Sequence, residues 1–459
     1  MSQAASQKAL VIGSGIAGLL AARVLADHFG EVTIIERDRL PDGPELRAGV
    51  PQARHVHFLL LRGKGIVEQL FPGIVAELEA AGAVKLDWTQ DCKIYSSPGW
   101  FLRFPSHGRY AMLGCSRTLL EWTIHHRLLA LPAIKRLAGH EVIGLLPDKQ
   151  KVGVAGVRLR QRRDDHTLGE ETELAADLVV DASGRDSRAP DWLEALGYQR
   201  PEQTIINGFA GYASRYYQCP ADGQADWRLL AVLNAYPIVK RGGVIFPIEG
   251  NRWLVTLVGV ARDYPGTEEA DFRAFAESLL VPEFAEALSQ ATPISAITGY
   301  QRMENRWYHY ERLNHWPERF IVCGDAVCAF NPTFGQGMTV AAQSAQALQL
   351  LLSRQRQRQP GGDLTGLTQP VQKALAKVSA TPWTLASGED LRLPEAVGDR
   401  PGALTRLLYR YSDAFRQLLP RDQQAMRTFV EVAHLLKPPT ALFHPHIVLG
   451  ILSQRGRKR

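Results

Sequence analysis

The sequence predicts a mixed α/β chain in three parts: a discontinuous domain on a parallel sheet, an antiparallel β-sheet domain inserted into it, and a C-terminal helical region. Three observations carry that reading. A strand, a glycine turn, a helix, a second strand and an acid follow one another over residues 8–36. Two later apolar runs, 177–182 and 319–323, each lead straight into a glycine-containing turn. The periodicity then changes, from strand-like patterns between 204 and 311 to helical spacing after 352.

Composition sets the limits. The chain has 459 residues, 45% hydrophobic and 22% charged, which excludes a disordered chain, a collagen-like fibre and a small disulfide scaffold. The net charge of +6 is mild for this length, and nothing marks a nucleic-acid reader. Arg455, Arg457, Lys458 and Arg459 crowd the end; they read as a solvated basic terminus, with contact to anionic lipid as the alternative. Cys92, Cys115, Cys219, Cys323 and Cys328 show neither CxxC nor Cys/His metal spacing, so reduced thiols in a cytoplasmic protein are expected. No apolar run reaches the roughly 18 residues of a membrane span. The stretch 9–26 is broken by Gly13, Gly15 and Gly18 and does not read as a signal peptide.

Residues 8–12, KALVI, form the first expected strand. Gly13-Ser14-Gly15-Ile16-Ala17-Gly18 then runs into the helical stretch LLAARVLADHFG, and a strand over 31–35 ends at Glu36 and Arg37. Gly13 permits the tight turn, Gly15 lets backbone approach a pyrophosphate at the helix N-terminus, and Gly18 lets helix and strand pack closely. Glu36 can accept hydrogen bonds from ribose hydroxyls. This is the pattern of a Rossmann-like dinucleotide site, with Gly13, Gly15, Ile16, Ala17, Gly18, Glu36 and Arg37 as candidate contacts. GxGxxG alone does not separate NAD from FAD.

The later loops make that separation. DLVVDA at 177–182 precedes Ser183-Gly184-Arg185-Asp186-Ser187-Arg188. RFIVC at 319–323 precedes Gly324-Asp325-Ala326, then Asn331-Pro332-Thr333-Phe334-Gly335-Gln336-Gly337-Met338 and a helix over 339–352. The segment 319–338 resembles the second FAD fingerprint of the flavin-dependent aromatic hydroxylases and squalene-epoxidase-like monooxygenases. The resemblance implies FAD as cofactor, Asp325 on its ribityl chain, and Pro332, Gly335, Gly337 and Met338 close to the isoalloxazine ring. A helix N-terminus there presents free N–H groups and positive potential to a flavin that becomes anionic on reduction. The same resemblance implies an arginine on a helix beside the flavin, and Arg117 fits, with Ser116 as N-cap of a helix to 131. It also implies an arginine in the loop 47–57, where Arg54 is preferred to Arg47; a surface salt bridge is the alternative for each. At Asp181-Ala182-Ser183-Gly184-Arg185 the chain departs from the hydroxylases' Asp-Gly pair towards halogenases, geranylgeranyl-reductase-like enzymes and polyether epoxidases. Contact of Asp181 and Gly184 with FAD is expected. Direct reduction by NAD(P)H does not follow, so NAD(P)H acts directly or through a separate flavin reductase.

The antiparallel part follows. Residues 204–218 alternate loosely, 242–259 read as a hairpin turning at 249–251, and 294–302 with 305–311 read as another pair, with a helix over 268–280 between. Residues 92–113 are expected to join this sheet. The resulting boundaries are 1–90, 114–190 and 319–358 for the FAD-binding domain, 91–113 and 191–318 for the sheet that roofs the flavin, and 359–459 for the helical region. Trp227, Phe246, Trp253, Tyr300, Trp307, Tyr308 and Tyr310 line either a large apolar pocket or the core of the sheet. Among thirteen histidines, His55 and His57 share a face, yet no HExxH or other ligand spacing occurs, so no metal site is expected. No side-chain base is named as catalytic.

Residues 57–70 read as an amphipathic core helix. Residues 354–358, RQRQR, with Pro360-Gly361-Gly362 read as an exposed turn, followed by helices over 366–380, 401–418, 421–436 and 441–453. The last is apolar and then basic: a packed helix with a frayed end, or a peripheral membrane contact. The resemblance implies a monooxygenase that transfers one oxygen atom from O2, through a flavin hydroperoxide, to a small hydrophobic polyketide-, terpenoid- or aromatic-type substrate. HVHFLLLRG and IFPIEGNRWLVTLVG look most like bacterial polyether-type epoxidases. A flavin-dependent halogenase, though WxWxIP is missing, and a reductase or saturase of a prenyl-type lipid remain the alternatives.

Overall fold

The computed structural model describes residues 6–162, 167–220 and 225–456. Arg457, Lys458 and Arg459 of the basic terminus lie outside the described residues.

Five parallel strands form the first sheet, in the spatial order Phe320–Val322, Leu178–Asp181, Lys8–Ile12, Glu31–Glu36, Ile134–Ala138. Their Val/Ile/Leu runs suit a sheet buried on both faces, and Leu10, Val11, Ile34, Val179 and Ile321 are all buried. One face is covered by helices α1 (Ile16–Ala26), α2 (Arg117–Leu129) and α3 (Gly337–Arg358). The other face meets a three-stranded antiparallel sheet (His140–Pro147, Val154–Arg162, Leu168–Ala175) and helix α4, Thr368–Asp390. The chain moves outward from Lys8–Ile12 on one side and returns to its other side with Leu178–Asp181. A crevice opens at the carboxyl ends where that direction reverses, the usual place for a ligand in such sheets.

The second large sheet carries Gly211–Gln218, Arg252–Gly259, Arg241–Ile248, Leu229–Val232 and Cys92–Ser96 at its centre. The 242–259 hairpin forms as expected, in register from Arg241 opposite Gly259 to Ile248 opposite Arg252. Three expectations are corrected. Thr298–Tyr300 pairs with Gly211–Gln218, while Asn305–Tyr308 pairs with Gln203–Ile206 and Cys328–Ala329, so they form no hairpin with each other. Ala111–Gly114 leaves the sheet to pair with Val84–Asp87. Residues 354–358 lie in the last turns of α3, where Arg356 bonds the carbonyls of His28 and Gly362 and Oε1 of Gln7. Long-range acceptors hold that cationic stretch in a helix.

The C-terminal helices are α5 (Ala403–Arg416), α6 (Gln423–Ala433) and α7 (Pro445–Gly456). Phe415, Leu419, Met426, Val430, Ile447 and Ile451 pack with Ile94, Phe246 and Leu254 of the large sheet in one core. Leu449 and Leu452, on the far side of α7, are exposed. Among the described residues no helix is long and apolar enough to cross a membrane.

Candidate functional site

The carboxyl ends of the parallel strands converge on one cavity of about 530 Å³, within the ~300–1,000 Å³ range of ligand sites. The three glycine-containing loops meet there. Gly13 packs on the loop after Leu178–Asp181, since a Cβ at Gly13 would lie 2.7 Å from the Ala182 carbonyl oxygen. Gly18 is pressed harder, for a Cβ there would meet the Gly13 carbonyl oxygen at 1.9 Å. At Gly15 and Gly184 an added Cβ meets nothing within 4 Å, and at Gly337 only Asp325 Oδ1 at 4.0 Å. These three line the cavity, leaving bare backbone for a ligand to lie against.

Two helices start at the cavity wall. α1 has Gly15 as N-cap and α3 has Gln336; neither has a side-chain cap or an acid in its first turn. Their first N–H groups and positive dipole ends therefore remain available to an anionic or electron-rich ligand. Ile16, Ala17 and Met338 line the cavity at these helix starts.

A buried charge cluster flanks α1. Arg47 Nη1 lies 2.9 Å from Glu36 Oε2 and Nη2 2.7 Å from Glu121 Oε1, while Arg117 Nη2 lies 2.6 Å from Glu121 Oε2. Ser14 adds its N–H (2.9 Å) and hydroxyl (2.7 Å) to Glu36 Oε2. Burial opposes ionisation of Glu36 and Glu121, but the arginines outweigh it and hold both carboxyls below their ordinary values. Glu36 thus works chiefly inside the protein, leaving little free lone-pair capacity for a ribose. Asp325 differs: it faces the cavity, and among the described residues none donates a hydrogen bond to its carboxylate. Withdrawal from bulk water pushes its carboxyl up, against the pull of Arg185, Arg117 and Arg306.

At the opposite end the cavity reaches the large sheet. His55 Nδ1 is 2.7 Å from Ser214 Oγ, which is 2.6 Å from Thr256 Oγ1. The His55 ring lies 5.9 Å from Tyr212 and 5.5 Å from Tyr300. Burial lowers the His55 pKa to about 4 and that of His57 to about 3, so both rings are neutral at pH 7. His55 Nε2 and Gln336 Oε1 are buried without a partner among the described residues, and both residues line the cavity.

Of the expected contacts, Gly13, Gly15, Ile16, Ala17, Glu36, Arg37, Arg117, Gly184, Asp325, Pro332, Gly335, Gly337 and Met338 line this cavity. Three do not. Gly18 serves helix–strand packing alone. Asp181 is fully buried below the loop, where it accepts the Ser183 N–H (2.9 Å) and the hydroxyls of Ser183 (2.6 Å) and Ser187 (2.5 Å). Arg54 is exposed and lies off the cavity wall, whereas Arg47 is on it, so the order of the two loop arginines reverses. Of the seven aromatics only Tyr300 lines the cavity; Phe246, Trp307 and Tyr310 belong to cores, and Trp227 packs on Trp253. Sequence reasoning passed over His55, Tyr212 and Gln336 as cavity residues. The pairing of Tyr212 and Ser214 on one strand parity was the available signal for two of their neighbourhoods; nothing local marked Gln336.

Residues 6–361 match the family described as FAD binding domain. The chain is 35% identical over 396 residues to Protein Rv3254 of Mycobacterium tuberculosis (strain ATCC 25618 / H37Rv), covering 85% of this chain and 81% of that protein. Its fold is similar to the flavin-dependent brominase Bmp2 (TM-score 0.67, 15% identity, 99% of this chain and 100% of that one). It is also similar to pqsL, a probable FAD-dependent monooxygenase from Pseudomonas aeruginosa (TM-score 0.60, 18% identity, 92% and 99%).

Proposed function

The chain belongs to the FAD binding domain family, and on that premise we propose that it is an FAD-dependent monooxygenase acting on a hydrophobic polyketide-, terpenoid- or aromatic-type substrate. The observation that carries the reading is the single cavity joining the glycine loops and two uncapped helix starts at one end to the His55–Tyr212–Tyr300 wall at the other. When bound there, FAD supplies the redox chemistry, taking electrons from NAD(P)H or a reductase and activating dioxygen for transfer of one oxygen atom. The protein's own share is placement. Gly15 and the α1 start hold the pyrophosphate, with Arg47 and Arg117 fixing the surrounding charge. Asp325 accepts hydrogen bonds from the ribityl hydroxyls, and the α3 start at Gly337 presents N–H groups to the ring, while the Gly335 N–H stays on the Pro332 carbonyl and its backbone lines the cavity. The sheet wall excludes water from the reacting face and orients an apolar substrate, with neutral His55 as a ready polar contact.

The first test is the visible spectrum of the purified protein under anaerobic conditions, before and after NADPH. A yellow protein that bleaches, with or without substrate, supports self-sufficient reduction. Persistent yellow points to a separate reductase. Incorporation of one atom of ¹⁸O2 into a hydrophobic substrate supports oxygen transfer. Halogenated product with bromide or chloride present, or reduced product without oxygen uptake, would replace the monooxygenase reading with halogenase or reductase.

A further inference from the structure

One fully buried carboxylate has no part in the site described so far. Asp390, the last residue of α4, is 0% exposed. Its oxygens accept from Asn331 Nδ2 at 2.9 and 3.1 Å and from Asn305 Nδ2 at 2.7 Å. Among the described residues no lysine or arginine forms an ion pair with it, so these amides carry the whole task of solvating the charge.

The network continues to the cavity. Asn331 begins the loop Asn331-Pro332-Thr333-Phe334-Gly335-Gln336-Gly337 that leads into α3. Its Oδ1 accepts the Thr333 N–H at 3.1 Å and the Thr333 hydroxyl at 2.7 Å, which fixes the amide's orientation. The Tyr212 hydroxyl donates to Thr333 Oγ1 at 3.3 Å. Asn305 Oδ1 accepts the backbone N–H of Asn331 at 2.7 Å. Gly208 closes over the acid from the sheet side, where a Cβ would meet the carboxyl carbon at 2.9 Å. A residue of the C-terminal region thus holds the start of the loop that faces the flavin position.

We propose that Asp390 is a positioning residue for the flavin: its negative charge locks Asn331 and the loop behind it, and neutralising that charge loosens the loop and weakens cofactor binding. This rests on the FAD reading above. An ionised carboxylate accepts at every lone pair and matches three N–H contacts. A protonated one turns one oxygen into a donor that faces an amide N–H, and one of those bonds is lost. Burial pushes the carboxyl up to about 7, with Asn331 and Asn305 pulling down and Glu389 adding to the rise. Other charged or titratable groups surround it. Glu389 on α4 is engaged by Arg416 and Arg392. Tyr212 on the sheet and Tyr236 after the strand Leu229–Val232 are buried phenols raised by burial, so both stay neutral near pH 7. Asp390 is the group in this cluster that changes charge near neutrality.

The test is the dissociation constant of FAD for the apoprotein, read from flavin fluorescence between pH 5.5 and 8.5. Wild type should weaken about tenfold as pH falls through 7, the loss of one charge-assisted hydrogen bond. Asp390→Asn should sit at the weak value throughout, without a pH step. Asn305→Ala, which removes one donor to the carboxylate, should move the wild-type midpoint upward by about one pH unit. Thermal melts of the same samples report folding, and if D390N does not fold, wild type and N305A decide. A flat wild-type profile, a D390N that keeps the wild-type step, or an unmoved N305A midpoint overturns the proposal. A wild type that takes up no FAD at any pH overturns the FAD reading instead.

Discussion

Two residues separate Gly15 from Gly18, and a methyl group added at each would meet different surroundings. At Gly15 it enters open cavity; at Gly18 it lands 1.9 Å from the Gly13 carbonyl oxygen. Gly18→Ala should therefore cost about 3 kcal/mol or more of stability by overpacking, seen as a lower urea midpoint. Gly15→Ala should change stability by no more than about 0.5 kcal/mol while raising the FAD dissociation constant, because it fills the ligand's space. The two arginines of the 47–57 loop separate in the same way. Arg47→Ala leaves buried Glu36 without a cation and Glu121 with Arg117 alone, and should cost about 3–5 kcal/mol, whereas Arg54→Ala, on an exposed side chain, stays within about 0.5 kcal/mol. The pH sign follows from Glu36 and Glu121, whose folded pKa values are depressed. Their contribution is present above the ordinary carboxylate range and is lost as pH falls through the folded values. In R47A burial is less opposed, so these carboxyls should protonate at higher pH than in wild type, as acid titration of the folded state would record, and the acid-side loss of stability should shrink. The glycines were legible because backbone geometry demands that residue type at those spacings, and Asp325 through the resemblance its segment carries. Arg47 against Arg54 was not, because only the fold shows which one faces Glu121, seventy-four residues away. Asp181 misled for a related reason: an acid after a strand can organise its own turn as well as touch a ligand.

At the scale of elements, the first turn of the helix Leu61–Leu70 shows how remote chain completes local structure. Its N-cap Leu60 offers no side-chain cap. The Leu60 N–H goes to Thr339 Oγ1 (3.2 Å), the Leu61 N–H to His434 Nδ1 (3.2 Å) and the Arg62 N–H to the His434 carbonyl (3.3 Å). The amphipathic core helix expected over 57–70 forms over Leu61–Leu70 only, and a sequence window holds no trace of a cap 373 residues away. That distance also hid why the helix starts at 61 rather than 57. His434 is 1% exposed, and burial lowers its pKa to about 3. The folded state therefore excludes a proton that the unfolded chain binds below its ordinary value near 6.5. Stability from this residue is complete above 6.5 and falls as pH drops towards 3, by about 1.4 kcal/mol per pH unit at most. His434→Ala should cost about 1–2 kcal/mol at pH 7.5, and the gap to wild type should narrow by about 1 kcal/mol at pH 5.5. Urea unfolding at the two pH values checks both figures; a gap that widens on acidification would mean that His434 is charged in the folded protein.

For the whole molecule, the question is whether the last hundred residues are an appendage or part of the fold that holds the site. Strand periods and glycine motifs end near 358, so the sequence divides the chain there and leaves the helices beyond without a role. The cores run across that division. α4 sends Gln372 to the parallel sheet, where its Oε1 accepts the N–H of Val322 at 3.0 Å, and Val371 and Leu375 enter the core beneath α1 and α3. Farther on, Phe415, Leu418, Leu419, Met426, Val430, Ile447 and Ile451 share a core with Phe246 and Leu254 of the large sheet. At about 1.5–3 kcal/mol for each such side chain fully buried, those seven alone reach or exceed the ~5–15 kcal/mol by which a domain is stable. A chain ending at 358 should therefore fail to give a soluble protein with one cooperative melt, whereas a chain ending at 456 should melt with the full-length protein. The periodicity found the helices but not their destinations, because an amphipathic face shows that something must cover it and not what. Melting and FAD titration of the two truncations test the point together. A soluble 1–358 chain that binds FAD with full-length affinity would make the helical region a separate unit, and would take Asp390 out of the cofactor site as well.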